Sequence, residues 1–197
     1  IKNGVFKLNN ETYILEKNDC ENHLHGGSNG FHKVNWNLKN KSKRSIHLRH
    51  LCNEKTYPGK IEIDLIYTIN EDNSFDIEFV AYSDKDTIFN PTSHSYFNLG
   101  SDKTILNHEL QINSDKILEI DKNVIPTENF LDIKDGPFDF QNFKSLGKDI
   151  IKDHVQLNIG FGYDHNFILN GYEKFAATLL DKNSGRRLKI KTDQPGL

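Results

Sequence analysis

Apolar residues recur at every second position along much of this chain. In KIEIDLIYTI, Ile61, Ile63, Leu65, Tyr67 and Ile69 alternate with mostly polar partners. The turn-like NEDNS follows, and the alternation resumes through Phe75, Ile77, Phe79 and Ala81. A period of two belongs to a half-buried strand, so this stretch predicts a β-hairpin. VFKLNNETYIL predicts a second, with Asn9-Asn10 at a turn that tolerates positive φ. AATLLDKNSGRRLKIKT predicts a third, turning at Asn183-Ser184-Gly185. VNWNL, SIHLRHL, HELQI and KILEID are shorter strand candidates. No segment carries a 3.6-residue stripe over three turns, although FQNFKSLGKDI has room for one or two turns of helix.

Many short strands between turn residues, without alternating helices, predict an all-β sandwich or barrel. The 197 residues suffice for one substantial core, and residues 1–197 are read as a single β-sandwich domain. Composition narrows the partners. The 25 basic residues are matched by 28 acidic ones and form no run, so nothing favours nucleic acid. No apolar stretch approaches a membrane span, and no signal-peptide pattern opens the chain. Two cysteines, Cys20 and Cys52, are too few for a disulfide framework, which points to a reducing, cytoplasmic setting. The chain has no methionine and starts at Ile1. The expectation is therefore a piece of something longer, truncated at both ends.

Four segments depart from plain strand alternation. In ENHLHGGSNGFHKVNW, His23 and His25 flank Leu24 and would share one face of a strand. A metal there would need further ligands, and no Cys or carboxylate stands at matching spacing, so no metal is expected. Gly26-Gly27 instead suggest a turn where backbone approaches something closely, and Trp36 reads as core. NPTSHSYFNLG, read as a strand, would put His94 and Tyr96 on one face; alone, His94 is first a surface histidine on a strand end. VIPTENFLDIKDGPFDF reads as an ordered surface loop pinned by Phe130, Phe138 and Phe140. In GFGYDHNFIL, Asp164 could cap a turn, but a carboxylate also accepts hydrogen bonds from hydroxyl groups well. With Gln194 near the end, these segments supply His, His, Asp and Gln without a metal signature. That selection suits a neutral polyol and acid–base chemistry on it.

HLHGG followed by GF and W, then NPTSHSYFNLG, IPT…GPFDF, GYDHNFIL and TDQPGL, occur in the order of landmarks in a known family. Across almost its whole length the chain resembles the aldose 1-epimerases, or galactose mutarotases. The resemblance implies a large antiparallel β-sandwich, the galactose mutarotase-like supersandwich, with a sugar site in the concave face of its main sheet. It implies interconversion of the α and β anomers of free aldohexoses such as galactose and glucose, without a cofactor. By the same resemblance, His94 matches the general acid facing the ring oxygen. His25 matches a second histidine that binds or orients the sugar, Asp164 a carboxylate on sugar hydroxyls, and Gln194 a substrate-side glutamine. His23, His165 and Asn98 are expected to be structural.

The chain also departs from the family pattern. The family's catalytic glutamate lies well beyond the QPG segment and its substrate-binding arginine just before the position of Ile1, so neither is assigned to a residue here. Losing one positioned acid or base costs roughly 10²–10⁴-fold in rate, and on that ground the fragment by itself is expected to be impaired. Two other readings stay open: a hexose-6-phosphate 1-epimerase, for which Arg186 and Arg187 in a hairpin tip are the basic candidates, and a carbohydrate-binding module that has lost turnover. A β-sandwich interaction domain without sugar affinity would leave the four groups scattered. The expected partner is a small-molecule sugar, with the protein a monomer or weak dimer that binds neither nucleic acid nor membrane.

Overall fold

Antiparallel hairpins build almost all of the regular structure. The computed structural model describes residues 1–53, 56–172 and 174–197. The chain divides into two compact units, Ile1–Ser95 and Tyr96–Leu197.

The first unit opens with β1 (Val5–Leu8) and β2 (Glu11–Ile14), a hairpin whose turn residues Asn9 and Asn10 have φ of 50° and 64°. Asparagine reaches this left-handed region more readily than other side chains with a Cβ, because its short amide bonds locally. The turn therefore sits where the sequence predicts it. A four-stranded meander follows: β3 (Asn37–Lys41), β4 (Ser45–Cys52), β5 (Ile61–Ile69) and β6 (Phe75–Ser83), in that spatial order. Ile61, Ile63 and Leu65 are buried on one face of β5 as the alternation requires. Asp64 on the opposite face is also buried, at 8% exposure. Arg49, directly across on β4, explains this: its Nε and Nη2 each donate to one Asp64 oxygen at 2.6 Å. β3 lies three residues later than VNWNL suggested, and Trp36 just before it is half-buried, its indole N–H donating to the Phe31 carbonyl at 3.0 Å.

The second unit holds two sheets. Spatially, one runs β10 (Lys144–Ser145), β7 (Glu109–Ile112), β12 (Ala177–Leu180), β13 (Arg187–Ile190). The other runs β11 (Phe167–Leu169), β8 (Ser114–Ile120), β9 (Pro126–Asp132). Only Asn113 separates β7 from β8, so the chain changes sheets there. Ile112 and Ala177 from the first sheet, with Ile117 and Phe167 from the second, join Ile133, Phe138, Phe140 and Leu157 in one buried cluster.

Three local expectations change. The segment from Pro126 is not a loop but β9, paired with β8; its Pro126 sits at the strand's first residue, where a missing N–H is tolerated. Phe138 and Phe140 are buried as expected, whereas Phe130 is 59% exposed. FQNFKSLGKDI holds one short 3₁₀ turn, Leu146–Lys148, and the only α-helix among the described residues is α1 (Val155–Gly160). At six residues it is too short to show a periodic stripe in sequence. No helix of the described residues is long and apolar enough to cross a membrane.

Candidate active-site residues

HLHGG does not form a strand, and its two histidines do not share a face. His23 is buried at 2% exposure. Its Nδ1 lies 2.6 Å from the Glu16 carbonyl, which can only accept, so Nδ1 carries the proton. Nε2 then accepts from the Tyr57 hydroxyl at 3.0 Å. Leu24 is clamped next: the Asn18 amide accepts from its N–H and donates to its carbonyl, both at 2.9 Å. His25 follows with φ of 51° and an exposed side chain. A non-glycine residue in this region costs roughly 1–2 kcal/mol, and such strain persists where the surroundings over-determine it. Here they do. A Cβ on Gly30 would lie 2.2 Å from the His25 carbonyl oxygen, and one on Gly27 2.6 Å from Glu16 Oε2. The loop closes only with glycine at both positions, so one histidine is a buried strut and the other is presented outward.

His94 lies in residues 86–99, which carry no strand or helix, so the strand expectation for NPTSHSYFNLG does not hold. Its ring is exposed and meets that of His25 edge to face, with centroids 6.2 Å apart and planes at 88°. These imidazoles, distant in sequence, are brought together. Among the described residues no group of three or more His, Cys, Asp or Glu is placed to hold a metal.

Asp164 belongs to the other unit and is exposed between two anchored neighbours. The Tyr163 ring packs edge-on against Phe138 and Phe140, at 5.5 and 5.0 Å, and its hydroxyl donates to the Pro137 carbonyl at 3.2 Å. Burial pushes the Tyr163 phenol up to about 12, with the Asp149 charge adding to it. On the other side His165 is 8% exposed and donates through Nε2 to Gln156 Oε1 at 3.0 Å. Burial lowers its pKa, which favours the neutral ring. Asp164 thus carries a solvent-facing carboxylate on a stiff support. Tyr163 and Gln156 were not singled out in the sequence. The glutamine's only signal is a polar residue between Val155 and Leu157, which a surface loop would show equally.

Gln194 lies in the same unit as Asp164. Phe167 and Leu197 exchange backbone hydrogen bonds of 2.7 and 3.0 Å, Ile168 bridges Gly196, and the Leu169 N–H reaches the Pro195 carbonyl at 3.0 Å. Asp164 precedes this antiparallel ladder at the Phe167 end, and Gln194 adjoins it at the Leu169 end. The Gln194 amide donates to Asp193 Oδ1 at 2.7 Å. Asn98 makes local bonds, to the Gly100 N–H at 3.0 Å and the Asp102 carbonyl at 2.8 Å. Arg186, one basic candidate for a phosphate, donates to the Leu99 carbonyl at 3.0 Å.

Comparison with known proteins agrees with this arrangement of motifs. The sequence profile of aldose 1-epimerase matches residues 1–197. The chain is 33% identical over 205 residues to the aldose 1-epimerase of Haemophilus influenzae, covering 100% of the chain and 59% of that protein. It is 34% identical over 203 residues to the galactose mutarotase of Bos taurus, covering 100% of the chain and 57% of the relative. Among solved structures, galactose 1-epimerase from Lactobacillus acidophilus superposes with a TM-score of 0.90 at 33% identity, covering 100% of this chain and 59% of that one. An aldose epimerase homologue from C. elegans superposes with a TM-score of 0.91 at 27% identity, covering 100% and 60%. The chain spans less than two thirds of the length of these relatives. Its motifs, its all-β antiparallel fold and these matches along its whole length have one common meaning: the chain belongs to the aldose 1-epimerase family.

Proposed function

We propose that the protein is an aldose 1-epimerase that interconverts the α and β anomers of a free aldohexose, galactose or glucose. His94 is the general acid, His25 orients the sugar beside it, and Asp164 accepts hydrogen bonds from sugar hydroxyls. Gln194 binds the sugar from the substrate side. A base takes the proton of the anomeric hydroxyl while His94 protonates the ring oxygen, and the C1–O5 bond opens to the aldehyde. Rotation about C1–C2 and the reverse transfers close the other anomer. Proton release and uptake balance, so no cofactor is needed. Histidine suits the acid because its ordinary pKa lies near neutrality. The base is assigned to no residue of this chain.

The observation that carries this reading is the exposed His25–His94 pair, 6.2 Å apart, one member held outward by a strained glycine-rich loop. Two imidazoles at this separation suit a ring oxygen and a neighbouring hydroxyl that each need their own partner. The protein is read as cytoplasmic, a monomer or weak dimer. Cys20 and Cys52 are free thiols, which fits a reducing compartment.

Polarimetry of freshly dissolved α-galactose tests the reading. The full-length protein should speed the decay of rotation, and His94→Asn should reduce kcat by roughly 10²–10⁴-fold. A His94→Asn rate within a few-fold of the parent, with unchanged circular dichroism, would remove His94 from the mechanism. Sugar binding by calorimetry without any turnover would instead mark a carbohydrate-binding module.

A further inference from the structure

The chain contains three Asn-Gly pairs, Asn3-Gly4, Asn29-Gly30 and Asn170-Gly171, and one Asp-Gly pair, Asp135-Gly136. This dipeptide can react with itself. The glycine nitrogen attacks the asparagine Cγ, a nitrogen–carbon bond forms, the Cγ–Nδ2 bond breaks, and ammonia leaves with the proton lost by the glycine nitrogen. Water then opens the cyclic imide at either carbonyl, leaving aspartate or isoaspartate. Glycine permits the reaction because no Cβ hinders the attack, but its nitrogen must be free to lose its proton and approach Cγ.

The pairs differ sharply on that requirement. Gly4 is buried and its N–H donates to the Ile1 carbonyl at 3.2 Å; a Cβ there would meet the Leu15 carbonyl oxygen at 2.9 Å. Gly30 is buried, its N–H donates to the Gly27 carbonyl at 3.3 Å, and a Cβ there would lie 2.2 Å from the His25 carbonyl oxygen. Gly136 donates to the Ile133 carbonyl at 3.0 Å. Gly171 is exposed, and its N–H has no partner among the described residues. Its φ is 94°, and nothing lies within 4 Å of where a Cβ would stand. Asn170 is exposed as well, just past the end of β11, with its own N–H fixed to the Asn113 carbonyl at 2.9 Å. One side of the reacting pair is held while the attacking nitrogen has no partner among the described residues.

We propose that Asn170 is a site of spontaneous deamidation, and that the fold protects Asn3 and Asn29 from the same reaction. Conversion places a carboxylate on the rim of a cavity of about 670 Å³ that is also lined by Gln111, Asn113 and Lys174. The isoaspartate product further adds a backbone methylene directly after β11. This inference does not depend on the enzymatic reading.

The test is peptide mapping of the full-length protein after incubation in mildly alkaline buffer, native and in urea. In the native protein the Asn170 peptide should acquire the aspartate and isoaspartate forms roughly tenfold or more faster than the Asn3 and Asn29 peptides, because bonded buried amides react only through rare local opening. In urea the three rates should converge. Native rates at Asn3 or Asn29 equal to that at Asn170 would overturn the proposal, as would an Asn170 that reacts only when unfolded. Asn170→Gln should abolish the native signal; persistence of the same peptide shift in that variant would also refute it.

Discussion

Gln156 and His165 are joined by a hydrogen bond of 3.0 Å, from the His165 Nε2–H to the Gln156 Oε1. The same oxygen accepts the Ile120 N–H at 2.9 Å, and the Gln156 Nε2 donates to the Ile120 carbonyl at 3.1 Å. The side-chain amide therefore completes the backbone bonding of the last residue of β8 and fixes the histidine after Asp164. Neither Gln156 nor His165 is more than 8% exposed, so water cannot replace these bonds cheaply.

Gln156→Leu should be strongly destabilising. It leaves Ile120 N–H, Ile120 C=O and His165 Nε2–H without partners, at about 1–3 kcal/mol for each unsatisfied group. A loss on the order of 3–5 kcal/mol is expected in urea unfolding, within a total that is typically about 5–15 kcal/mol. A midpoint unchanged from the parent would show that the network carries no stability.

His165 should make the fold sensitive to mild acid. Burial holds its folded pKa below the ordinary value, so the unfolded chain takes up a proton first as pH falls. Its stabilising contribution is complete above about pH 6.5 and declines as pH drops through that value towards the folded pKa. Urea midpoints should therefore fall between about pH 7.5 and about pH 5.5 in the parent, and fall less in His165→Gln.

Asp64 should act at lower pH. The bidentate hydrogen bonds from Arg49, supported by His47, hold its carboxyl down at about 2. The folded pKa is depressed, so the stabilisation is present above the unfolded value near 3.9 and is lost as pH falls towards about 2. Asp64→Asn should flatten the acid limb of a pH–stability curve in that window. An identical acid limb in the two proteins would mean that the pair is energetically neutral.

Asp164 and Gln194 should separate in kinetics. Asp164→Asn removes a charged acceptor, a change of about 1.5–3 kcal/mol, and should lower kcat/KM by roughly tenfold or more. Gln194→Ala removes a neutral hydrogen bond of about 0.5–1.5 kcal/mol and should lower kcat/KM by less, roughly two- to tenfold. Equal losses would show that the Asp164 charge adds nothing beyond a neutral hydrogen bond.

Tyr163 should prove to be a support and not a base. With its phenol pushed up to about 12, it stays protonated at any working pH, so Tyr163→Phe should retain activity and the shape of the pH–rate profile. The lost hydroxyl bond to Pro137 should cost about 1 kcal/mol of stability. A missing alkaline limb in the variant would assign Tyr163 to proton transfer.

The hairpins were legible because their determinants are local. Alternation at Ile61–Ile69 and Phe75–Ala81 follows from a period of two, and Asn9-Asn10 and Gly185 supply the backbone angles their turns need. The order of the HLHGG, HSYFNL and YDHNF motifs was enough to point to a family. Distant partners decided the rest. Pro126–Asp132 is a strand because β8 offers it an edge, and nothing within the segment itself announces that pairing. His23 and His25 both adjoin Leu24 in sequence, yet Tyr57 and the Glu16 carbonyl draw the first inward while Gly30 fixes the second outward.

The sequence by itself determined the β1–β2, β5–β6 and β12–β13 hairpins, where they turn, and which residue types the chain has for acid–base work on a polyol. Tertiary structure alone decided that His25 meets His94 and that Tyr163 and His165 are anchored on either side of Asp164. The physical reason is range: dihedral preference and side-chain alternation are fixed over a few residues, whereas which groups are neighbours or buried depends on elements far apart in the chain.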